Sequence, residues 1–163
     1  MSAHIIEEDG GCQLRWNHNS AYYPELVSDA ALRGGSALDV GCGDGTLLKL
    51  LAGVCEHVVG VEADPAAARI AAGRVADSGK VICGDFMATQ DFAPESFDTI
   101  TCVACLHHMP LETALVRMAE LLRPGGRLLV VGLSANRTGC SPLSWLSLRG
   151  CPDGSTTRVL TRR

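Results

Sequence analysis

The segment that most constrains this chain is ALDVGCGDGTLLKLLAG, residues 37–53, where an apolar strand pattern runs straight into three alternate glycines and then an amphipathic helical pattern. Strand, side-chain-free turn and helix in immediate succession open a βαβ unit, and such a unit takes its ligand outside the carboxyl end of a parallel strand. Gly41 and Gly43 lack a Cβ, so backbone can touch a bound molecule there, with Cys42 between them; Gly45 lets the helix start tightly against the strand. Asp39, near the strand end, is suited to accept a hydrogen bond from a cationic amine. Asp44, inside the loop, would repel a phosphate. The spacing Gly-x-Gly-x-Gly also departs from the dinucleotide fingerprint, which leaves two residues before its third glycine. Both features count against a nicotinamide dehydrogenase.

The alternation continues downstream. Strands are expected at 37–40, 57–62, 80–83, 97–103 and 127–133, and helices near 45–53, 65–76 and 111–122. That order predicts an α/β, Rossmann-like, doubly wound and mostly parallel sheet. Asp64 can cap a helix that begins at Pro65, and Pro110 opens the next with Glu112 in its first turn. Arg123-Pro124-Gly125-Gly126 should stop that helix before the fifth strand. Residues 1–35 read as an N-terminal lid or helical segment, with a helix over 20–32, ahead of a ligand-binding domain at 36–133. From 134 to 163 the sequence turns to Ser, Arg, Gly, Cys and Pro, with only 143–148 able to form a short element. An irregular tail is expected there, without a C-terminal antiparallel strand pair, because no alternating apolar pattern stands out.

Composition narrows the function classes. With 163 residues, 47% of them hydrophobic, the chain can build one domain with an ordinary core. A formal charge of −4 gives no general attraction to nucleic acid or to an anionic membrane, and two Trp, two Tyr and three Phe cannot make an extended base-stacking surface. No apolar run approaches the ~20 residues that span a bilayer, and the N-terminus lacks a basic region followed by an apolar one. A cytoplasmic chain with a small-molecule partner is expected. Several of the eight cysteines fall inside apolar runs, which predicts reduced, buried thiols. Cys102 and Cys105 form the only C-x-x-C, with His107 and His108 nearby. Placed at a strand end, where side chains three apart face opposite ways, they predict neither a metal site nor a redox pair.

Three further places can carry chemistry. Glu62 closes the second strand 21 residues after Gly41, the interval at which a carboxylate accepts hydrogen bonds from ribose hydroxyls. Asp85 and Phe86, after the third strand, could receive the exocyclic amine of an adenine and line its ring. His107 and His108 end the fourth strand at the open edge of the sheet, where an imidazole with a pKa near ~6.5 can act as a general base. Packing against the helix start at Pro110 is the other role open to them.

With these elements in order, the sequence resembles the class I S-adenosylmethionine-dependent methyltransferases of the small-molecule type. The resemblance covers residues 36–133: the glycine loop, the acidic strand end at Glu62, Gly84-Asp85-Phe86, the strand ending in Leu106-His107-His108, and LLRPGGRLLVV at 121–131. It implies S-adenosylmethionine as cofactor, its methionine end on Asp39, Gly41, Cys42 and Gly43, its ribose on Glu62 with Ala63 alongside, and its adenine on Asp85 and Phe86, with Cys102 counted among the contacts. Trp16-Asn17-His18-Asn19 and Tyr22-Tyr23 are similar to a lid folded over the cofactor, which adds His18 and Tyr22. In such enzymes catalysis is largely positional, and His107, His108 or His18 could serve as base. The resemblance implies methyl transfer to a small-molecule acceptor. The alternative is a shortened, inactive remnant that binds cofactor or a partner, suggested by the unrecognised C-terminal strand pair.

Overall fold

The glycine turn lies where the chain changes direction across a twisted sheet. In the computed structural model the described residues are 18–131, 146–150 and 157–162, with side chains described over 20–131. A 3-10 turn (His18–Tyr22) leads into α1 (Tyr23–Ala31); then come β1 (Ser36–Val40), α2 (Thr46–Leu51), β2 (His57–Glu62), α3 (Pro65–Val75) and β3 (Lys80–Cys83). The second half runs β4 (Phe97–Val103), a short 3-10 turn (Leu106–His108), α4 (Leu111–Leu121), β5 (Leu122–Val131), β6 (Leu146–Gly150) and β7 (Thr157–Arg162). The strand order is β3-β2-β1-β4-β5-β7-β6. The five strands β1 to β5 are parallel, as the alternating sequence pattern requires.

Strand periodicity divides the apolar residues between two faces. Leu38, Val40, Val61, Ile100, Cys102, Leu128 and Val130 pack with Ala114 and Met118 of α4 on one side. On the other, Ala37, Val58, Leu129 and Val131 pack with Leu26, Leu48 and Ala71 from α1, α2 and α3. The order reverses between β1 and β4, and in open parallel sheets the crevice at that reversal receives the ligand.

The helix-start signals hold. Asp64 accepts a hydrogen bond from Ala66 N at 2.9 Å, with Pro65 opening α3. The expected stop at Arg123-Pro124-Gly125-Gly126 is shifted: α4 already ends at Leu121, and these four residues lie within β5, which begins at Leu122. Leu122 pairs with Phe97, and a register shift before the Thr99 to Arg127 pair accommodates the proline and glycines.

The C-terminal expectation is corrected. β7 pairs antiparallel with β5, from Arg127 opposite Thr161 to Val131 opposite Thr157, and β6 pairs antiparallel with β7. The fold therefore carries the antiparallel pair, and the segment after 134 is not an irregular tail throughout. A strand of six residues needs only Thr-Arg-Val-Leu-Thr-Arg, whose β-branched residues suit a pleated sheet although the segment is too short to stand out as a period. The pair also covers the β5 edge, which would otherwise be exposed. Residues 132 and 133, the expected end of the fifth strand, lie outside the described residues.

Candidate cofactor site

Gly41, Gly43 and Gly45 all take positive φ, at 69°, 53° and 79°. Their roles differ in space. A Cβ on Gly41 would stand 2.7 Å from Cys105, and one on Gly45 would stand 2.8 Å from the Ala71 backbone, whereas one on Gly43 would meet nothing. Gly45 thus seats α2 against α3, and Gly43 is open for approach. The turn is anchored by Gly41 N and Cys42 N, both donating to Val61 O at 2.9 and 3.1 Å.

Glu62 joins three turns along this edge. Its Oε2 accepts from Gly43 N at 2.8 Å and its Oε1 from Asp64 N at 2.9 Å, while its carbonyl accepts from Gly84 N at 2.8 Å. The half-buried carboxylate is held by two backbone donors, and each oxygen keeps a lone pair for a further donor. Ala63 is exposed beside it.

Asp39 lies beneath the turn, 2% exposed, and Thr101 Oγ1 donates to its Oδ1 at 2.7 Å. Burial pushes its carboxyl up to about 7; the Thr101 hydrogen bond opposes this and the Glu62 charge adds to it. Cys42 is also buried, and its thiol is pushed up to about 12, by burial first and then by Asp39 and Glu62. Asp44 accepts from Thr46 N and Thr46 Oγ1 and pairs with Arg74 at 3.1 Å, which ties the loop to α3.

Asp85 caps its own turn: Oδ1 accepts from Met87 N at 2.8 Å. Phe86 is 4% exposed and belongs to the core, with the Arg117 guanidinium 5.1 Å over its ring, so it supports this turn from within and its face is taken. His107 and His108 are exposed on the 3-10 turn after β4, ring centroids 3.9 Å apart, and His108 N donates to Cys105 O. Since Cys105 abuts Gly41, both imidazoles belong to the edge that carries the glycine turn.

Two sequence expectations change here. Cys102 is fully buried and offers no surface to a ligand. Nor do Cys102 and Cys105 face apart: their sulfurs are 3.2 Å from each other. β4 ends at Val103, and Ala104 takes φ 52°, so the chain folds back instead of extending. Among the described residues no cluster of three His, Cys, Asp or Glu side chains could hold a metal ion, and no helix is long and apolar enough to cross a membrane.

From the lid region, Tyr22 is half-buried against the α1, α2 and α3 side of the core. The side chain of His18 lies outside the described residues, as do Trp16 and Asn17. Tyr23, expected as part of the lid but not as a cofactor contact, is also half-buried there. Its hydroxyl is raised above its ordinary value by burial and by the charges of Asp39 and Asp44, which puts it in the field of the glycine turn.

The sequence model of the family described as "Methyltransferase domain" matches residues 38–130. A ubiquinone biosynthesis O-methyltransferase from Thiobacillus denitrificans is 35% identical over 135 residues, 80% of this chain and 54% of that protein. One from Xanthomonas euvesicatoria is 38% identical over 111 residues, 66% of this chain and 46% of its own length. The chain spans about half the length of these curated relatives. Among solved structures, a TehB-like SAM-dependent methyltransferase from Corynebacterium glutamicum matches with a TM-score of 0.69 at 23% identity, over 86% of this chain and 87% of that one, a likeness of fold.

Proposed function

The chain belongs to the class I methyltransferase-domain family, and from that membership we propose that it binds S-adenosylmethionine at the glycine turn and transfers the methyl group to a small-molecule acceptor in the cytoplasm. The observation that carries this reading is the Glu62 carboxylate, fixed by Gly43 N and Asp64 N with lone pairs left for a vicinal diol. The donor set fits the cofactor. Asp44, Glu62 and Asp64 border a turn open at Gly43, with Asp39 beneath it as a further acceptor, a setting favourable to an ammonium and a sulfonium and hostile to a pyrophosphate.

When bound, the cofactor supplies a methyl carbon already electrophilic at sulfonium, so no protein nucleophile is required. Asp39 and the backbone of Gly41 and Gly43 hold the amino-acid end, and Glu62 receives the ribose hydroxyls. The second oxygen of Asp85 is suited to the adenine amine, with Phe86 stiffening the turn from below. Tyr23, with Tyr22 and His18 on the same N-terminal segment, closes over the turn and excludes water. His107 or His108 takes the proton from the acceptor.

The curated relatives are named O-methyltransferases, and hydroxylated small molecules are accordingly the first acceptor class to assay. The inactive-remnant reading rested on a missing strand pair, and β7 and β6 remove that support. Calorimetric binding of S-adenosylmethionine, followed by transfer of a labelled methyl group to a hydroxylated-metabolite panel, tests both halves. Saturable binding with label transfer is expected; binding without transfer rejects the enzyme, and no binding rejects the site.

A further inference from the structure

We propose that Cys102 and Cys105 are a reversible dithiol and disulfide pair whose closure alters the glycine turn, a modification site separate from methyl transfer. Its effect on cofactor binding rests on the function proposed above; its chemistry does not.

The geometry is specific. Left-handed Ala104 brings the two sulfurs to 3.2 Å, and a disulfide requires about 2.0 Å. Closing the remaining gap of about 1 Å is within reach of side-chain rotation. The two thiols are not equivalent. Cys105 is half-buried at the sheet edge and meets an oxidant first, whereas Cys102 is enclosed in the core and can act only as the resolving partner.

With a hydroperoxide as oxidant, the Cys105 sulfur attacks the peroxide O–O bond, giving a sulfenic acid and releasing an alcohol, or water from hydrogen peroxide. Cys102 sulfur then attacks the sulfenic sulfur. The S–S bond forms, the hydroxyl leaves with the thiol proton as water, and both sulfurs are oxidised while the peroxide is reduced. Hydrogen bonding with Cys102, burial and the nearby carboxylates raise the Cys105 thiol far above its ordinary range, so the pair responds to sustained exposure and not to a brief pulse.

Closure reaches the site through two contacts. Cys105 Sγ donates to Val40 O at 2.9 Å, a bond lost on oxidation, and Cys105 fills the space a Gly41 side chain would need. Drawing Cys105 toward β4 therefore shifts the support of Gly41 and the start of the His107 and His108 turn. The oxidised chain is expected to bind cofactor several-fold more weakly.

The test exposes the reduced full chain to hydrogen peroxide under native conditions, alkylates the remaining thiols, and maps linkages by mass spectrometry. A Cys102 to Cys105 link that dithiothreitol reverses is expected, together with weaker binding of S-adenosylhomocysteine that the same reduction restores. In Cys102→Ser the reversible loss of binding should disappear. Two free thiols after prolonged exposure, Cys105 over-oxidised beside free Cys102, or a link to another cysteine would each overturn the proposal. A reduced chain that binds no S-adenosylhomocysteine would sink the cofactor reading, while the linkage map would still decide the disulfide.

Discussion

Gly43 N donates to Glu62 Oε2 at 2.8 Å, so the open glycine of the first turn and the carboxylate that closes the second strand form one rigid unit. Each hydrogen bond to a charged group contributes roughly 1.5–3 kcal/mol, and ~1.4 kcal/mol is tenfold in affinity. Glu62→Ala removes the acceptor for Gly43 and Asp64 and for the ribose together. Cofactor affinity should fall about 10- to 100-fold in calorimetry; affinity unchanged would show that Glu62 only braces the loop.

The three glycines predict a contrast. Gly45→Ala combines left-handed backbone with a Cβ 2.8 Å from the Ala71 backbone, which cannot yield cheaply, and should cost about 2 kcal/mol or more. Gly43→Ala meets open space and suffers only the left-handed strain of about 1 kcal/mol. Thermal melts should therefore rank Gly45→Ala well below Gly43→Ala, while cofactor titration should find Gly43→Ala impaired despite its near-native melt.

Asp39 predicts a pH dependence of stability. Its carboxyl has its ordinary value of 3.8 in the unfolded chain and is pushed up to about 7 in the fold, mainly through burial. Between those values the native state holds a proton that the unfolded state has released. Its contribution is therefore full below the lower value, declines as pH rises through the window, and levels off above about 7, a change on the order of 4 kcal/mol. Asp39→Asn abolishes this slope. The Tm of the variant minus that of the native chain should grow from about pH 5 to about pH 8; parallel profiles would contradict the buried, proton-holding carboxyl.

Much of this was legible beforehand, and the reasons for the misses are physical. The glycine turn, Glu62 and the five parallel strands announce themselves because strand, turn and helix periods change sharply at Val40, Glu62 and Cys83. β7 escapes because a six-residue strand carries no long period, and its partner β5 is distant in sequence. The Cys102 and Cys105 contact depends on one left-handed residue, Ala104, and no rule of composition places alanine there. Thr101 is likewise found only through packing: as a β4 residue beside β1 it reaches Asp39, a pairing that strand register decides.

The exposed imidazoles separate chemistry from binding. If His107 or His108 removes the acceptor proton, alanine at that position should lower kcat by about a hundredfold, while the cofactor Kd stays within about twofold. Equal activity of both single variants would assign these side chains to the surface of the turn alone.

The central claim is that the glycine turn, Glu62 and Asp39 hold S-adenosylmethionine and not a pyrophosphate cofactor. Isothermal titration of the full reduced chain with S-adenosylhomocysteine, alongside NAD under the same conditions, tests it most directly. One saturable site for S-adenosylhomocysteine, weakened about 10- to 100-fold in Glu62→Ala, with no heat from NAD, is the predicted result. Absence of S-adenosylhomocysteine binding by a cooperatively folded chain, or equal binding of NAD, would contradict it.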